Sequence, residues 1–385
     1  MTWKYPLSDI DLGREEEQAV LSVLRTRWLS TGPVTERFEK AFSNHLGGGD
    51  AIAVSNGTAA LHLALACLGL ERGDEVILPS LTFVATANAV LYVGAKPVFA
   101  DIAGTDDLNI SWQEIEKKIT RKTKAIVVVH YAGFPCNMDP IMEIAGRDGL
   151  PVIEDAAHTP DATYRGEKCG LIGDIGCFSF FSNKNLVTGE GGMVVTCHRE
   201  WAEKIRRMRT HGMETLSWDK YRGRLSSYDI RTLGYNYRFT EIQSALGLVQ
   251  LKKLKRNQKI REKLVKVYRE ELQGVEGVSV PFSQFEGYPS YHLFPVLVEA
   301  HRRNRLMEEL RRERVQTSVH FPPVHLFSLY RREFGFRKGM LPKTEEVGLR
   351  EVSLPLHPRM SGRDAKWIAK KVKEILSKRN NGSME

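Results

Sequence analysis

The sequence predicts an α/β fold: a doubly wound domain on a mostly parallel sheet, followed by a smaller α+β unit. Three observations carry that expectation. Between residues 50 and 197, short apolar runs rich in β-branched residues alternate with helical patterns, the order expected of strands joined by crossover helices. Several of those runs are apolar at every position, as happens where helices cover both faces of a sheet. The length of 385 residues, at roughly 100–200 residues per domain, suits two domains.

The elements follow in chain order. From 14 to 29, Val20, Val23 and Leu24 share one helical stripe, and Ser30-Thr31-Gly32-Pro33 breaks it, so an arm helix packed on another element is expected. Strands are expected at 51–54, 76–79, 97–100, 125–129, 152–154, 176–180 and 193–196. After Arg238 a helical pattern from 241 to about 272, with Leu246, Val249, Leu254 and Leu264 among its apolar positions, carries the chain away from the sheet. Beyond it come a strand-like stretch at 292–298, a helix at 302–314, a strand-like stretch at 315–319 and a last helix near 363–376. The domain boundary is expected inside the long helix, giving a large domain over 1–250 and a small one over 251–385. Residues 379–385 read as a frayed tail.

Composition narrows the classes of function. Hydrophobic residues make up 42% and charged residues 27%, which argues against a disordered chain. No apolar run reaches the 18 or so residues that a membrane-spanning helix needs. The net charge of +9 favours anionic partners, yet no finger, RRM signature or basic amphipathic run directs it to nucleic acid or a membrane surface. Cys67, Cys136, Cys169, Cys177 and Cys197 are scattered and form no CxxC pair, so neither a disulfide scaffold nor a metal site is expected. The opening MTWKYPLSDIDLG has no basic flank before an apolar core; a cytoplasmic location is the expectation.

Ligands of open α/β sheets sit at the carboxyl ends of the strands, and four polar groups fall there. Ser55-Asn56-Gly57-Thr58 follows the first sheet strand and opens a helix, so its amides and the Thr58 hydroxyl form an anion site or an ordinary helix cap. Neither a G-x-G-x-x-G nor a phosphate-loop motif occurs anywhere. In Val152-Ile153-Glu154-Asp155-Ala156-Ala157-His158, Asp155 reaches a strand end, where it can pair with a cation or cap a turn, and His158 lies three residues on. In Phe178-Ser179-Phe180-Phe181-Ser182-Asn183-Lys184, a lysine sits in a short turn beside three phenylalanines. Desolvation there would lower its pKa and leave an amine able to form a Schiff base; the alternative is a surface lysine whose stem covers apolar neighbours. The fourth group, Gly234-Tyr235-Asn236-Tyr237-Arg238, precedes the long helix.

Taken together, these segments resemble the DegT/DnrJ/EryC1/StrS sugar aminotransferases, pyridoxal-phosphate enzymes of fold type I. The likeness runs from PLSDIDLGREEEQAVLSVLRTRWLSTGP through SNGTAALHLAL, VIEDAAH, FSFFSNKNLVTGEGGMVVT and GYNYRFTEIQSALGLVQL to HFPPVH and SLPLHPRM. The resemblance implies a seven-stranded, mostly parallel sheet in the large domain and pyridoxal 5'-phosphate as cofactor. It also implies roles: Lys184 as the lysine that carries the cofactor, Asp155 as the carboxylate that keeps the pyridine nitrogen protonated, and His158 as a contact of the cofactor's 3-hydroxyl. Gly57, Thr58 and Ser179 match the phosphate cup, and Phe83 the aromatic stacked on the ring. Asn236 matches the residue that family members contribute to the phosphate from the neighbouring subunit, which implies a homodimer with shared active sites.

The reaction implied is transfer of an amino group from an amino acid, L-glutamate by resemblance, to a keto group of a nucleoside-diphosphate-linked sugar. Arg238, His320 and His325 are candidate substrate contacts, with interdomain packing as the alternative. Other readings are amination of a keto-inositol, and a sugar dehydratase, whose relatives carry histidine in place of Lys184. A basic binding protein without catalysis rests only on the net charge.

Overall fold

The computed structural model describes residues 2–213, 229–230 and 232–378. Two helices, α1 (Arg14–Thr26) and α2 (Pro33–Leu46), precede the first strand, β1 (Asp50–Val54). The break at Ser30–Pro33 is therefore the gap between two helices, and α1 packs on other elements as expected. Pro33 stands at the first position of α2, where its missing N–H costs nothing and its fixed φ suits the helix. The free amides of that first turn are met from afar: Glu241 accepts from Val34 N–H at 2.9 Å and from Thr35 N–H at 2.8 Å, a carboxylate at the positive end of a helix.

From β1 the chain alternates strictly. In order come α3 (Gly57–Cys67), β2 (Glu75–Pro79), α4 (Val84–Tyr92), β3 (Lys96–Ala100), α5 (Trp112–Lys118), β4 (Thr123–Val129), α6 (Met138–Asp148) and β5 (Val152–Asp155). After a small hairpin, β6 (Ile175–Ser179), β7 (Gly192–Thr196) and α7 (Arg199–Met208) complete the layer. The seven strands form one sheet in the order β1-β7-β6-β5-β4-β2-β3. Only β7 runs antiparallel to its neighbours, pairing Thr196 with Asp50 on one side and with Ile175 on the other. All seven expected strands are present within two residues of their expected bounds.

Burial on both faces explains why these strands read as continuous apolar runs. In β1, Ile52 and Val54 point to the side of α3 and α4, whereas Ala51 and Ala53 join Phe38 and Phe42 of α2 on the other side. Ile77, Ile126 and Val128 meet Ile115 of α5 and Ile141 of α6. Fully burying side chains of this size contributes about 1.5–3 kcal/mol each.

The long helix, α8 (Glu241–Leu272), starts at a capping box in which the Thr240 hydroxyl accepts from Gln243 N–H. Leu246 and Val249 are only half-buried, and the face turned inward there is made of Ala245 and Gly247. The reason is the Phe38 ring: a Cβ at Gly247 would lie 2.6 Å from it. Val23 of α1 packs with Val34 and Ala245 at the same crossing, while Leu24 stays exposed.

Farther along, Leu264, Val265, Tyr268 and Leu272 enter a second core. It is covered by β8 (Val278–Ser279), β9 (Phe294–Val298) and β10 (Glu351–Leu354), with helices α9 (Ala300–Arg312), α11 (Pro342–Arg350) and α12 (Gly362–Ser377), while α10 (Ser328–Phe334) packs its Tyr330 into the core of the seven-stranded sheet. The stretch 315–319, expected as a strand, is not one. β10 pairs along β9, so 315–319 makes only single bridges, Val315 to Tyr5 and Ser318 to Ser353. Residues 379–385, expected as a tail, lie outside the described residues.

Candidate active site

A cavity of about 680 Å³ opens at the carboxyl ends of β1, β2, β4, β5 and β6, closed on its far side by residues that follow the long helix. It brings together Gly57, Thr58, Phe83, Asp155, His158, Ser179, Lys184 and His320. All but His320 arrive there because a strand ends and the chain must turn.

The anion-binding corner is the start of α3. Asn56 caps the helix, its side-chain oxygen accepting from Ala59 N–H at 2.8 Å, which leaves the first amides of the helix and the Thr58 hydroxyl for a ligand. Ser179, the last residue of β6, lies alongside. A Cβ at Gly57 would sit 2.9 Å from the Cβ of Ser179 and 3.2 Å from its hydroxyl, so only glycine leaves this cradle open.

Asp155 ends β5 and is 6% exposed. Its Oδ2 accepts from the Thr86 hydroxyl at 2.8 Å and its Oδ1 from Ala157 N–H at 3.2 Å. Burial pushes its acid strength down, raising the pKa; the two hydrogen bonds and the Lys184 and His130 charges oppose that. A buried carboxylate so placed calls for a cation across the cleft.

Lys184 lies in the turn between β6 and β7, which is braced by Phe180 N–H to Gly191 O and Thr188 N–H to Phe180 O, both 2.8 Å. Burial pulls its amine down to about 8, with Asp155 pulling the other way. The three phenylalanines beside it divide. Phe178 and Phe180 point away from the cleft into the aromatic cluster with Phe38 and Phe42, and only Phe181 lines the cavity. The strand ends, more than a cage of rings, desolvate the amine.

His158 stacks on His292, with ring centres 4.2 Å apart, and its Nδ1 is buried without a partner among the described residues. Burial, then the Lys184 and His320 charges, hold it neutral, far below the usual histidine range. Phe83, 59% exposed, stands at the start of α4 with its ring 6.2 Å from Phe321.

Three expected residues are not among those lining the cavity. His325 is fully buried between the two cores, with Nδ1 2.8 Å from Ser80 Oγ and Nε2 3.1 Å from Glu345. Both ring nitrogens are engaged, so the structure gives it the packing role that was the alternative to a substrate contact. Asn236 and Arg238 lie on a stretch that runs past β1, where Tyr237 O accepts from Ser55 N–H at 2.9 Å and Arg238 bridges to Val54. Asn236 is exposed and outside its own chain's cavity.

Sequence reasoning missed several residues of the cavity. Thr86, the partner of Asp155, sits in the first turn of α4, three residues after Phe83; that spacing was the available signal. His292, Phe321, Asn183 and Glu190 also line the cavity. His292 is held by Asn185, whose Oδ1 lies 3.0 Å from its Nδ1, a long-range pairing with no local signature.

Pyridoxal phosphate fits these residues. The glycine cradle suits its phosphate, Asp155 its ring nitrogen, Lys184 its aldehyde, and the unpartnered His158 Nδ1 a polar ring substituent.

Comparison with known proteins agrees. The DegT/DnrJ/EryC1/StrS aminotransferase family matches over residues 10–373. The spore coat polysaccharide biosynthesis protein SpsC of Bacillus subtilis is 41% identical over 371 residues, 95% of each chain. PseC of Helicobacter pylori, an aminotransferase involved in the biosynthesis of pseudoaminic acid, superposes with a TM-score of 0.91 at 31% identity, covering 98% of this chain and 100% of that one. A Streptococcus pneumoniae protein described as a sugar aminotransferase, Spr1654, superposes in its PMP form with a TM-score of 0.91 at 29% identity, covering 97% and 99%, and is also solved in a PLP form. The chain belongs to the DegT/DnrJ/EryC1/StrS aminotransferase family and is a pyridoxal-phosphate-dependent sugar aminotransferase.

Proposed function

We propose that the acceptor is a keto group on a sugar carried by a nucleoside diphosphate, and that the amine comes from an amino acid, L-glutamate by family resemblance. The observation that carries amino transfer is the placement of Lys184 opposite Asp155 in a cavity that also holds an anion cradle, and the nucleotide and donor are supported by family resemblance. The chain's excess of 9 positive charges suits a diphosphate. The likeness to a spore coat polysaccharide biosynthesis protein supports a place in making amino sugars for a polysaccharide.

When bound, pyridoxal phosphate supplies an electron sink next to the carbon that loses or gains a proton. Lys184 would hold it through its amine, and that amine, drawn down to about 8 by burial, would take up and return the proton at the reacting carbon. Asp155, fixed by Thr86 and Ala157, holds the proton on the ring nitrogen. Gly57, Thr58 and Ser179 hold the phosphate, Phe83 covers one face of the ring, and His158 meets its polar edge. His320 meets the sugar.

Asn236, exposed beside β1, belongs in this reading to the cavity of a second copy, so the active form is a homodimer. Arg238 on the same stretch goes with it. No described helix is long and apolar enough to cross a membrane. The division into a large unit before 250 and a small one after follows the long helix, which belongs to both cores.

The test is incubation of the holoenzyme with L-glutamate and a panel of nucleotide-linked keto sugars, read by the mass of the aminated product. Amination of at least one supports the reading. Amination of a free keto-inositol alone overturns it.

A further inference from the structure

One buried titratable group near the cavity has no part in the chemistry above. Glu351 and Ser353 stand two apart on β10 and therefore on one face of it. Glu351 is fully buried; its Oε1 lies 2.5 Å from Ser353 Oγ, and its Oε2 accepts from the backbone N–H of His320 at 2.6 Å. Ser353 Oγ in turn lies 2.9 Å from Nδ1 of His320. His320 is the only member of this chain of contacts that lines the cavity, and Nε2 is the ring nitrogen it has left to offer there. The Tyr131 hydroxyl donates to the carbonyl oxygen of His320 and clamps its backbone.

We propose that Glu351 is a positioning residue that sets, through Ser353, which ring nitrogen of His320 carries the hydrogen, and so whether His320 offers a donor or an acceptor to an oxygen of the sugar. With Glu351 protonated, its O–H donates to Ser353, Ser353 donates to Nδ1, and Nε2–H points into the cavity as a donor. With Glu351 ionised, Ser353 donates to the carboxylate, Nδ1–H donates to Ser353, and Nε2 is an acceptor. The change between the two balances: the carboxyl proton passes to the serine oxygen, the serine proton to Nδ1, and the Nε2 proton leaves into the cavity.

The electrostatics keep both forms within reach. Burial pushes Glu351 up to about 8, against its bonds to Ser353 and His320 and the charge of Arg303 on α9. Burial and the Lys184 charge hold His320 down at about 4, so the ring is neutral in either form and only its tautomer changes. The facing phenol, Tyr131, is pushed up by burial and by Glu351 and stays protonated throughout. Glu351 and Ser353 do not line the cavity and act only through His320.

The inference rests on the aminotransferase reading only for what His320 meets. Its test is magic-angle-spinning NMR of holoenzyme labelled with nitrogen-15 in histidine, the His320 signals being assigned by their loss in His320→Gln. In the wild type the hydrogen should move from Nε2 to Nδ1 as pH rises through about 8. In Glu351→Gln the amide oxygen must face the His320 N–H, which turns the amide NH₂ toward Ser353. That variant should show the Nε2–H form at every pH at which the ring is neutral. Ser353→Ala, which cuts the link but leaves Glu351 free to titrate, should abolish the switch. A His320 tautomer that stays fixed in the wild type, or switches equally in Glu351→Gln, overturns the proposal. Failure of the aminotransferase reading would register separately, as absence of a Lys184–cofactor adduct in the same preparation.

Discussion

The two walls of the cavity are built differently. One is the row of strand ends: Asp155 and Ser179 are the last residues of β5 and β6, and Gly57 and Lys184 follow β1 and β6 by a few residues. The other is assembled from the far half of the chain, with His292 before β9 and His320 and Phe321 on a stretch without regular structure. Each wall uses a buried carboxyl: Asp155 lines the cavity itself, and Glu351 stands behind His320. Asp155 is bonded to a threonine hydroxyl and an amide and has the Lys184 amine across the cavity. Glu351 is bonded to a serine hydroxyl and an amide, and the one charge that pulls on it, Arg303, is on α9. Similar ligation with different surroundings yields different tasks. The first carboxylate is placed to be an anion for a cation in the cavity, and the second to sit near its own titration point.

The sharpest way to break the comparison is at the first wall. Lys184→Ala should still bind pyridoxal phosphate non-covalently yet lose amino transfer, as followed by formation of the 2-oxo acid from the donor. Full turnover would remove Lys184 from its role. Asp155→Asn replaces the anion with a neutral group of the same shape and should cost about 10²–10⁴-fold in the proton-transfer step, read in single-turnover absorbance. An unchanged rate would mean that another group holds the ring proton.

Smaller effects separate the carboxyl from its support. Thr86→Val removes a hydrogen bond to a buried charge, about 1.5–3 kcal/mol, and should weaken cofactor affinity tenfold to a hundredfold by equilibrium titration. Valine puts a methyl where the hydroxyl stood, so Thr82, 2.8 Å from that hydroxyl, loses a hydrogen-bond partner as well.

At the second wall the expected effect is on stability. An acid whose folded pKa is raised, from about 4.5 to about 8 for Glu351, contributes most below the lower value and loses that contribution as pH rises through the upper one. The melting temperature of Glu351→Gln relative to wild type should therefore climb between about pH 4.5 and 8 and level off above. A constant offset would mean that Glu351 does not titrate in that window.

The same division governs how much could be read without a structure. The first wall was legible because strand ends are local events: an apolar run followed by Asp155, or by Ser179 and Lys184, names its own position. The seven strands were legible for the same reason. Lys184 was placed correctly in a turn, but the three phenylalanines beside it were not told apart. Alternation along β6 sends Phe178 and Phe180 to the opposite face, which the sequence pattern contained and the reading did not use. The second wall was not legible, because His292 owes its place to Asn185 and His320 to Ser353, contacts that span 107 and 33 residues. His325, in the same motif as His320, turned away to meet Ser80 and Glu345, and no feature of HFPPVH distinguishes the two. Helix α2 went unread because Pro33 was taken as a stop when it is also a favoured start.

The account depends most on the amine of Lys184 carrying the cofactor. Borohydride reduction of the yellow holoenzyme, followed by peptide mapping, tests this directly. The account predicts a single phosphopyridoxyl adduct on the peptide containing Lys184, and an adduct on another lysine, or none, would contradict it.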